Sequence, residues 1–176
     1  AHRSEYRLQS VLQLFQHIYD QHTETRILLS ATGALRGIIR LNEKHAAIVL
    51  HHDVSKHIMS VFHASVGSDA EKIDSSVVIA VCELYSSIAY CEASTHTVAC
   101  LFNPTELILC LSSPSPSLLH AVVLLFDAIA AVILISPADV QKTWIPFVQV
   151  LLQCMHDMLQ CDDEEVVLTV YRCIRL

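Results

Sequence analysis

The chain has 176 residues and a net charge of −7 with neutral histidines, so it lacks the uniformly basic surface of a nucleic-acid-binding domain. Its length allows a sizeable core, as one domain or as a short run of repeats. With only 3 Gly and 5 Pro it is poor in the turn residues of β-sandwiches and barrels, and this favours helices.

The cysteine pattern indicates the compartment. The chain has 7 Cys, and none of them forms a CxxC pair. Most occupy apolar positions of predicted helices, where a free cysteine behaves as a small hydrophobe. We therefore expect an intracellular, reducing location, the cytoplasm or nucleus, with unpaired and buried thiols at Cys82, Cys110 and Cys154.

Two amphipathic helices are predicted at the start of the chain. Apolar residues at i, i+3, i+4 and i+7 cover about 4–19, with Ser4 in the N-cap position. After a polar break, a second helix runs to about Arg40. Gly33 and Gly37 lie four residues apart within it. Each glycine destabilises a helix relative to alanine, so we expect both to allow close packing against another helix.

Residues 45–111 alternate short and long helical segments, separated by turn and capping residues. The predicted segments are a short helix at 45–52, a helix capped by Asp53, a long helix capped by Asp74 or Ser75, a short helix at 97–102, and a helix at 104–111 that begins on Pro104.

The stretch 118–135, LLHAVVLLFDAIAAVILI, is the centre of the predicted fold. Only His120 and Asp127 in it are polar, so we expect the helix to be enclosed on nearly every side. A membrane span is the alternative. Asp127, which would cost about 2.5 to 3.5 kcal/mol near a bilayer centre, disfavours it. We expect this carboxylate to find a partner, to lie at an edge or to take up a proton.

Three further helices are predicted towards the C-terminus: a short one at 137–142, a longer one from Trp144 to Leu159, and a last one on Val166, Val167, Val170, Tyr171 and Ile174. The acidic residues 162–165 would complement the macrodipole of the last helix. We expect the chain to be a piece of a longer protein. An apolar end face near Val170 and Ile174 would then be covered by further chain, a second copy or a partner helix.

The helical segments repeat. A long helix, a turn, a short helix and a second helix occur in this order three times, at spacings of 50 and 42 residues. Periods in the forties with three helices per unit are typical of an α-solenoid. Equivalent positions are Ile48, Val98 and Val140 in the short helix, and Ala34, Leu84, Phe126 and Leu168 in the long one.

Residues 31–62 resemble the junction of two armadillo repeats, through Ala34-Leu35, the Asn42-Glu43 turn and the Ile48-Val49 pair. The likeness extends more weakly over 77–111 and 119–159. This resemblance to the armadillo/HEAT family implies that residues 1–176 form one all-α domain, a right-handed α-solenoid of about three to four repeats.

The resemblance has a limit that bears on function. Armadillo proteins that carry nuclear import cargo have a Trp and an Asn on each third helix. The corresponding segments here, 34–37, 84–87 and 126–129, contain neither residue. Recognition of extended basic peptides is therefore not implied.

From the resemblance we expect a non-enzymatic scaffold that binds a protein or peptide along its third helices. Arg36 and Arg40 lie one turn apart on such a face and could pair with an acidic partner. We expect no cofactor, metal, small-molecule substrate or membrane, and the acidic net charge disfavours direct nucleic-acid binding. The candidate partner-binding residues are Arg36, Arg40, Glu83, Ser86, Ser87 and Tyr90.

Two alternatives remain open: a scaffold of a chromatin- or DNA-associated complex, for example a meiotic one, and an enzyme with a cysteine or metal site. The enzyme reading has two sets of candidates, which are His51, His52, His57 and His63 for a metal, and Cys91, Cys100 and Cys161, with His96 and His156, for a thiol. The histidines lack a neighbouring cysteine pair, and proximity in sequence does not make a catalytic pair. The Ser-Pro pairs of 112–117 are interpreted as helix starts, with phosphorylation as the alternative.

Overall fold

A computed structural model describes residues 2–67 (side chains from Arg7 onward), 73–91, 94–113 and 115–160, and the single positions 164, 167 and 168. These residues form α-helices and connecting turns, which confirms the all-α prediction for the described part of the chain. The helices are α1 (His2–Gln21), α2 (Thr25–Leu41), α3 (Lys44–His51), α4 (Val54–Val66), α5 (Ser75–Ala89), α6 (Thr95–Leu101), α7 (Pro104–Leu111), α8 (Pro116–Ile135) and α9 (Ala138–Leu159).

Helix starts follow the capping residues in several places. Asp74 caps α5 by accepting a hydrogen bond from the Val77 amide, as predicted. Asn103 and Ser115 cap α7 and α8, and each is followed by a proline in the first turn. Asp53 is the N-cap residue of α4, as predicted, but its carboxylate accepts from Lys56 Nζ at 2.7 Å and from no backbone amide. The cap predicted at Ser4 is wrong, because α1 begins at His2.

Seven of the described helices pack in two rows. In one row α2 packs against α5, and α5 against α8. In the other α1 packs against α4, α4 against α7, and α7 against α9. The short helices α3 and α6 contact α5 and α8 respectively. α5 lies between α2 and α8 and packs against both, and each helix of this row keeps a face whose residues are exposed or half-buried.

The core between the rows is apolar and aromatic. Phe102 stands edge-on to both Phe62 and Tyr85, with ring centroids 5.2 and 5.4 Å apart. The buried Tyr85 and Ser55 hydroxyls lie 2.7 Å apart, and those of Tyr19 and Thr32 also 2.7 Å apart. The tyrosines therefore fill apolar space without leaving an unpaired hydroxyl.

The segment after Pro137 differs from the prediction. One helix, α9, runs from Ala138 to Leu159 where two were predicted, and Pro146 lies inside it. Trp144, Phe147 and Leu151 share its buried face. Burial of this continuous face offsets the backbone hydrogen bond that Pro146 cannot donate, which costs about 3 kcal/mol.

The apolar helix α8 is enclosed along only part of its length. Leu118, Leu125 and Ile129 are buried completely, but Leu134 and Ile135 are 74% and 85% exposed. The expected enclosure is therefore wrong at its C-terminal end. By length and composition alone α8 could cross a membrane, and half of that stretch is buried against the rest of the protein. Core helices of globular proteins share this property.

The two glycines of α2 do not serve close packing within the described chain. Gly33 and Gly37 are exposed, and a Cβ added at either position would meet no atom within 4 Å. The prediction of a close helix contact there is wrong, because the glycines lie on the outward face and the contact with α5 uses another flank.

The cysteine prediction is confirmed at two of its three positions. Cys82 and Cys110 are buried and unpaired, whereas Cys154 is unpaired but half-buried. Burial, followed by the charge of Glu106, raises the pKa of the Cys110 thiol to about 12. These thiols are therefore protonated and inert at neutral pH.

The predicted last helix lies mostly outside the described residues. Positions 164, 167 and 168 are helical, and Leu168 is 49% exposed. Val166, Val170, Tyr171 and Ile174 are not among the described residues, and neither is Cys161.

Candidate interaction surface

The outward faces of α2, α5 and α8 form one surface, which we call the row surface. Its members follow helical spacing on each helix, and they are exposed or half-buried. They are Arg26, Ser30, Gly33, Gly37 and Arg40 of α2, then Ser76, Ala80, Glu83 and Ser87 of α5 with its C-cap residue Tyr90, and Ser117, His120, Leu124, Asp127 and Ala131 of α8.

Polar contacts join α2 to α5 along this surface. The Thr25 hydroxyl donates to Asp74 Oδ2 at 2.7 Å, at the N-terminal ends of α2 and α5. Further along, the Arg36 guanidinium forms an ion pair with Glu83. These contacts place the corresponding ends of α2 and α5 side by side.

The Arg36–Glu83 pair brings together two of the candidate residues. Their side chains are 27% and 32% exposed, and Arg36 Nε is buried without a hydrogen-bond partner. A half-buried pair of this kind is costly to break, because separation leaves a charge with poor solvation. Both side chains are therefore engaged in the contact between α2 and α5.

Tyr90 links α5 to α8. Its hydroxyl donates a hydrogen bond to Asp127 Oδ2 at 2.9 Å, and its ring is 58% exposed. Partial burial, and then the hydrogen bond to Asp127 and the carboxylate charge, raise the pKa of Tyr90. The phenol therefore stays protonated and donates to the carboxylate.

The remaining candidates differ in accessibility. Ser86 is 4% exposed and donates to the Cys82 carbonyl, so it lies in the core and does not reach the row surface. Ser87 is half-buried and donates to the Glu83 carbonyl. Arg40 is exposed and forms no ion pair within the described part of the chain.

Asp127 is a functional candidate that helical spacing alone does not assign to the surface. The single carboxylate of an apolar helix indicates a need for a partner, but not that the partner is Tyr90, 37 residues earlier. Arg26 lies on the same outward face of α2 as Arg40, as their positions on the helix indicate.

The histidines do not assemble a metal site in the described part of the chain. His57 pairs with Asp20 and His63 with Glu106, which links α4 to α1 and to α7. No group of three or more His, Cys, Asp or Glu side chains lies close enough to hold a metal among these residues. A groove of about 580 Å³ between α3, α4 and α6 contains His51, His52 and His63, but it lacks a set of converging ligands.

The two described thiols near turns, those of Cys91 and Cys100, differ in exposure. Cys100 is exposed, and its Sγ lies 3.8 Å from His96 Nδ1 on the same short helix. The Cys91 thiol is half-buried, and burial together with the charge of Glu43 raises its pKa. A raised pKa lowers the thiolate fraction that nucleophilic catalysis needs.

A second surface feature lies between α8 and α9. It is a groove of about 440 Å³ with an almost wholly apolar lining, beside the exposed end of α8. Its lining consists of Phe126, Ala130, Ile133, Leu134, Gln141, Trp144, Ile145, Val148 and Gln149.

Comparison of the chain with protein-family models, with curated proteins and with solved structures gave no match. The armadillo/HEAT resemblance therefore stays a prediction, which rests on residues 31–62 and more weakly on 77–111 and 119–159.

Proposed function

We propose that this protein is a non-enzymatic scaffold that binds a peptide or helix of a partner protein on the row surface. We further propose that its helices form a right-handed, armadillo/HEAT-like α-solenoid. The observation that carries both proposals is the order of packing, α2 on α5 on α8 in one row and α1 on α4 on α7 on α9 in the other.

Stacking of this kind supports the solenoid because each unit contacts only its neighbours and adds one helix to each row. α3, α4 and α5 form one such unit, and α6, α7 and α8 form the next. In the following unit, α9 combines the short and second helices in one continuous helix. This fusion departs from three separate helices per unit, but it keeps α9 in contact with α7.

The row surface supports partner binding because it is broad and polar and is built on rigid helices. The cross-helix contacts of Arg36 with Glu83 and of Tyr90 with Asp127 fix the side chains that border it. Extended surfaces built from consecutive repeats are the binding surfaces of solenoid proteins. Nothing on this surface supplies an activated nucleophile, and recognition is the role that its groups can fill.

Site-specific photo-crosslinking in cells tests the proposal. A photoreactive amino acid is placed at Ser30 or Ser117, which are exposed on the row surface, and at Gln13, which is exposed on α1. We expect discrete crosslinked products from both serine positions and none from Gln13. Equal products from all three positions, or products from Gln13 alone, would show that the row surface is not the binding site.

A further inference from the structure

The outward face of α2 carries positive charge that the fold does not use. Arg26, Ser30, Gly33, Gly37 and Arg40 recur at intervals of four and three residues, and all five are exposed. We call this set the α2 stripe. Arg40 follows Arg26 by fourteen positions, which is a rise of about 21 Å along the helix.

No ion pair within the described part of the chain balances the charge of the stripe. α2 contains three arginines and no acidic residue, and its flanking acids Glu24 and Glu43 lie beyond its two ends. Arg36 is paired with Glu83, whereas Arg26 and Arg40 form no ion pair with a described residue.

The carboxylates of the neighbouring helices are engaged in other contacts. Glu83 forms an ion pair with Arg36, whereas Asp74 accepts from the Thr25 hydroxyl and Asp127 from the Tyr90 phenol, which are uncharged donors. The positive charge is therefore local to the α2 stripe itself, which carries two arginines and no carboxylate.

The glycines between the two arginines have no role within the described chain. Each costs about 1 kcal/mol relative to alanine in a helix interior, and a Cβ at either position would meet open space. A partner helix that lies along the stripe could approach closely at these positions, because the distance between packed helices depends on the side chains at the contact.

We infer that the α2 stripe binds an acidic helix of a partner protein, whose carboxylates pair with Arg26 and Arg40 and whose small residues pack over Gly33 and Gly37. This inference rests on the proposed function and specifies the chemistry of the partner. Charge complementarity selects an acidic partner. The regular, four-turn spacing between the arginines selects a helix that lies along α2.

The test uses the full chain and two synthetic, helix-stabilised, alanine-rich peptides of about 20 residues. One peptide carries glutamates near both ends, with the separation of Arg26 and Arg40, and the other carries lysines at the same positions. Binding is followed by fluorescence anisotropy at low and at physiological salt. The charge variant is Arg26→Glu with Arg40→Glu. Its control is Arg7→Glu with Lys142→Glu, which makes the same change in net charge at exposed cations of α1 and α9, in the other row.

We expect the glutamate peptide to bind the native chain at least about tenfold more tightly than the lysine peptide, with a difference that shrinks as salt is added. The Arg26/Arg40 variant should reverse this preference, and the Arg7/Lys142 control should keep it. Gly33→Leu should weaken the glutamate peptide by about tenfold while thermal stability is maintained, because the new side chain would occupy the space of the partner.

Equal binding of the two peptides, or a preference unchanged in the arginine variant, would overturn the inference. The photo-crosslinking at Ser30 and Ser117 separates this failure from that of the proposed function. If crosslinked products form there and are insensitive to the arginine reversal, the scaffold proposal stands and the acidic partner is excluded. If no products form at either serine, the proposed function fails first.

Discussion

Tyr90, the C-cap residue of α5, and Asp127 of α8 are joined by a hydrogen bond of 2.9 Å from the phenol to Oδ2. The bond gives the only carboxylate of the apolar helix its partner, which confirms one of the three outcomes expected for Asp127. It also connects two neighbouring long helices at the edge of the row surface.

A double-mutant cycle measures what this contact contributes. Tyr90→Phe removes the donor and Asp127→Ala removes the acceptor, and we expect each to cost no more than about 1 kcal/mol because Tyr90 is half in solvent. The coupling energy from urea unfolding should be about 0.5 to 1 kcal/mol. Asp127→Asn keeps an acceptor and should retain most of the coupling. Purely additive effects would show that the bond does not form in solution.

Substitution of the exposed glycines of α2 is expected to raise the stability of the protein instead of lowering it. Gly33→Ala and Gly37→Ala should each raise the free energy of unfolding by about 0.5 to 1 kcal/mol, because alanine loses less backbone entropy and meets no neighbour. Gly67→Ala is the matched control. Gly67 ends α4 with φ of 63°, so an alanine there should destabilise. A loss of stability at Gly33 would mean that α2 packs more closely than described.

Pro146 tests the continuity of α9. It is exposed in the interior of the helix, so Pro146→Ala should restore one backbone hydrogen bond without loss of packing. We expect an increase of about 1 to 3 kcal/mol in unfolding free energy, with unchanged or slightly higher helicity by circular dichroism. If a helix instead began at Trp144, Pro146 would lie in its first turn, and the substitution would be neutral or unfavourable.

The buried phenol and thiol predict sensitivity to alkali. Burial raises the pKa of Tyr19 from 10.0 to about 12, and that of Cys110 from 9.0 to about 12. The folded state therefore keeps protons that the unfolded state releases first. Their contribution to stability is complete below about pH 9 and is lost as the pH rises from there towards 12.

Unfolding measured between pH 8 and pH 11 checks this expectation. Stability should fall more steeply above pH 9 in the native chain than in Cys110→Ala, since the variant lacks one of the groups that release protons on unfolding. Identical slopes for the two proteins would show that Cys110 titrates normally in the fold.

Local sequence signals account for most of the helices but not for the contacts between them. The period of Val77, Val81, Leu84 and Ile88 and the cap at Asp74 predict α5 with its correct start. Pro146 is a strong local signal for a helix break. α9 nevertheless continues through it, and its buried face is defined only by tertiary packing. Propensity is a weaker determinant than such burial.

For the candidate surface too, the sequence predicts which side of a helix a residue occupies but not which residue it contacts. Helical spacing indicated that Arg36, Glu83 and Tyr90 were near the outward side of their helices. It could not show that Arg36 and Glu83, 47 residues apart, neutralise each other, because that contact depends on the offset between α2 and α5. The prediction that Ser86 belongs to the partner-binding face is wrong for a related reason. Ser86 is one position away from Ser87, and that 100° rotation turns its side chain into the core.

Trp144 is the single tryptophan of the chain, and it is 5% exposed, in contact with Phe126 and Phe147 at the α8–α9 end. Its emission therefore reports on the contact between α8 and α9 alone, while circular dichroism averages over every helix. In a stack held together by neighbour contacts, the two signals need not change at the same denaturant concentration. An emission red shift that precedes the loss of ellipticity would show that the chain unravels from its α9 end, and would give that order of events an optical readout without an added label.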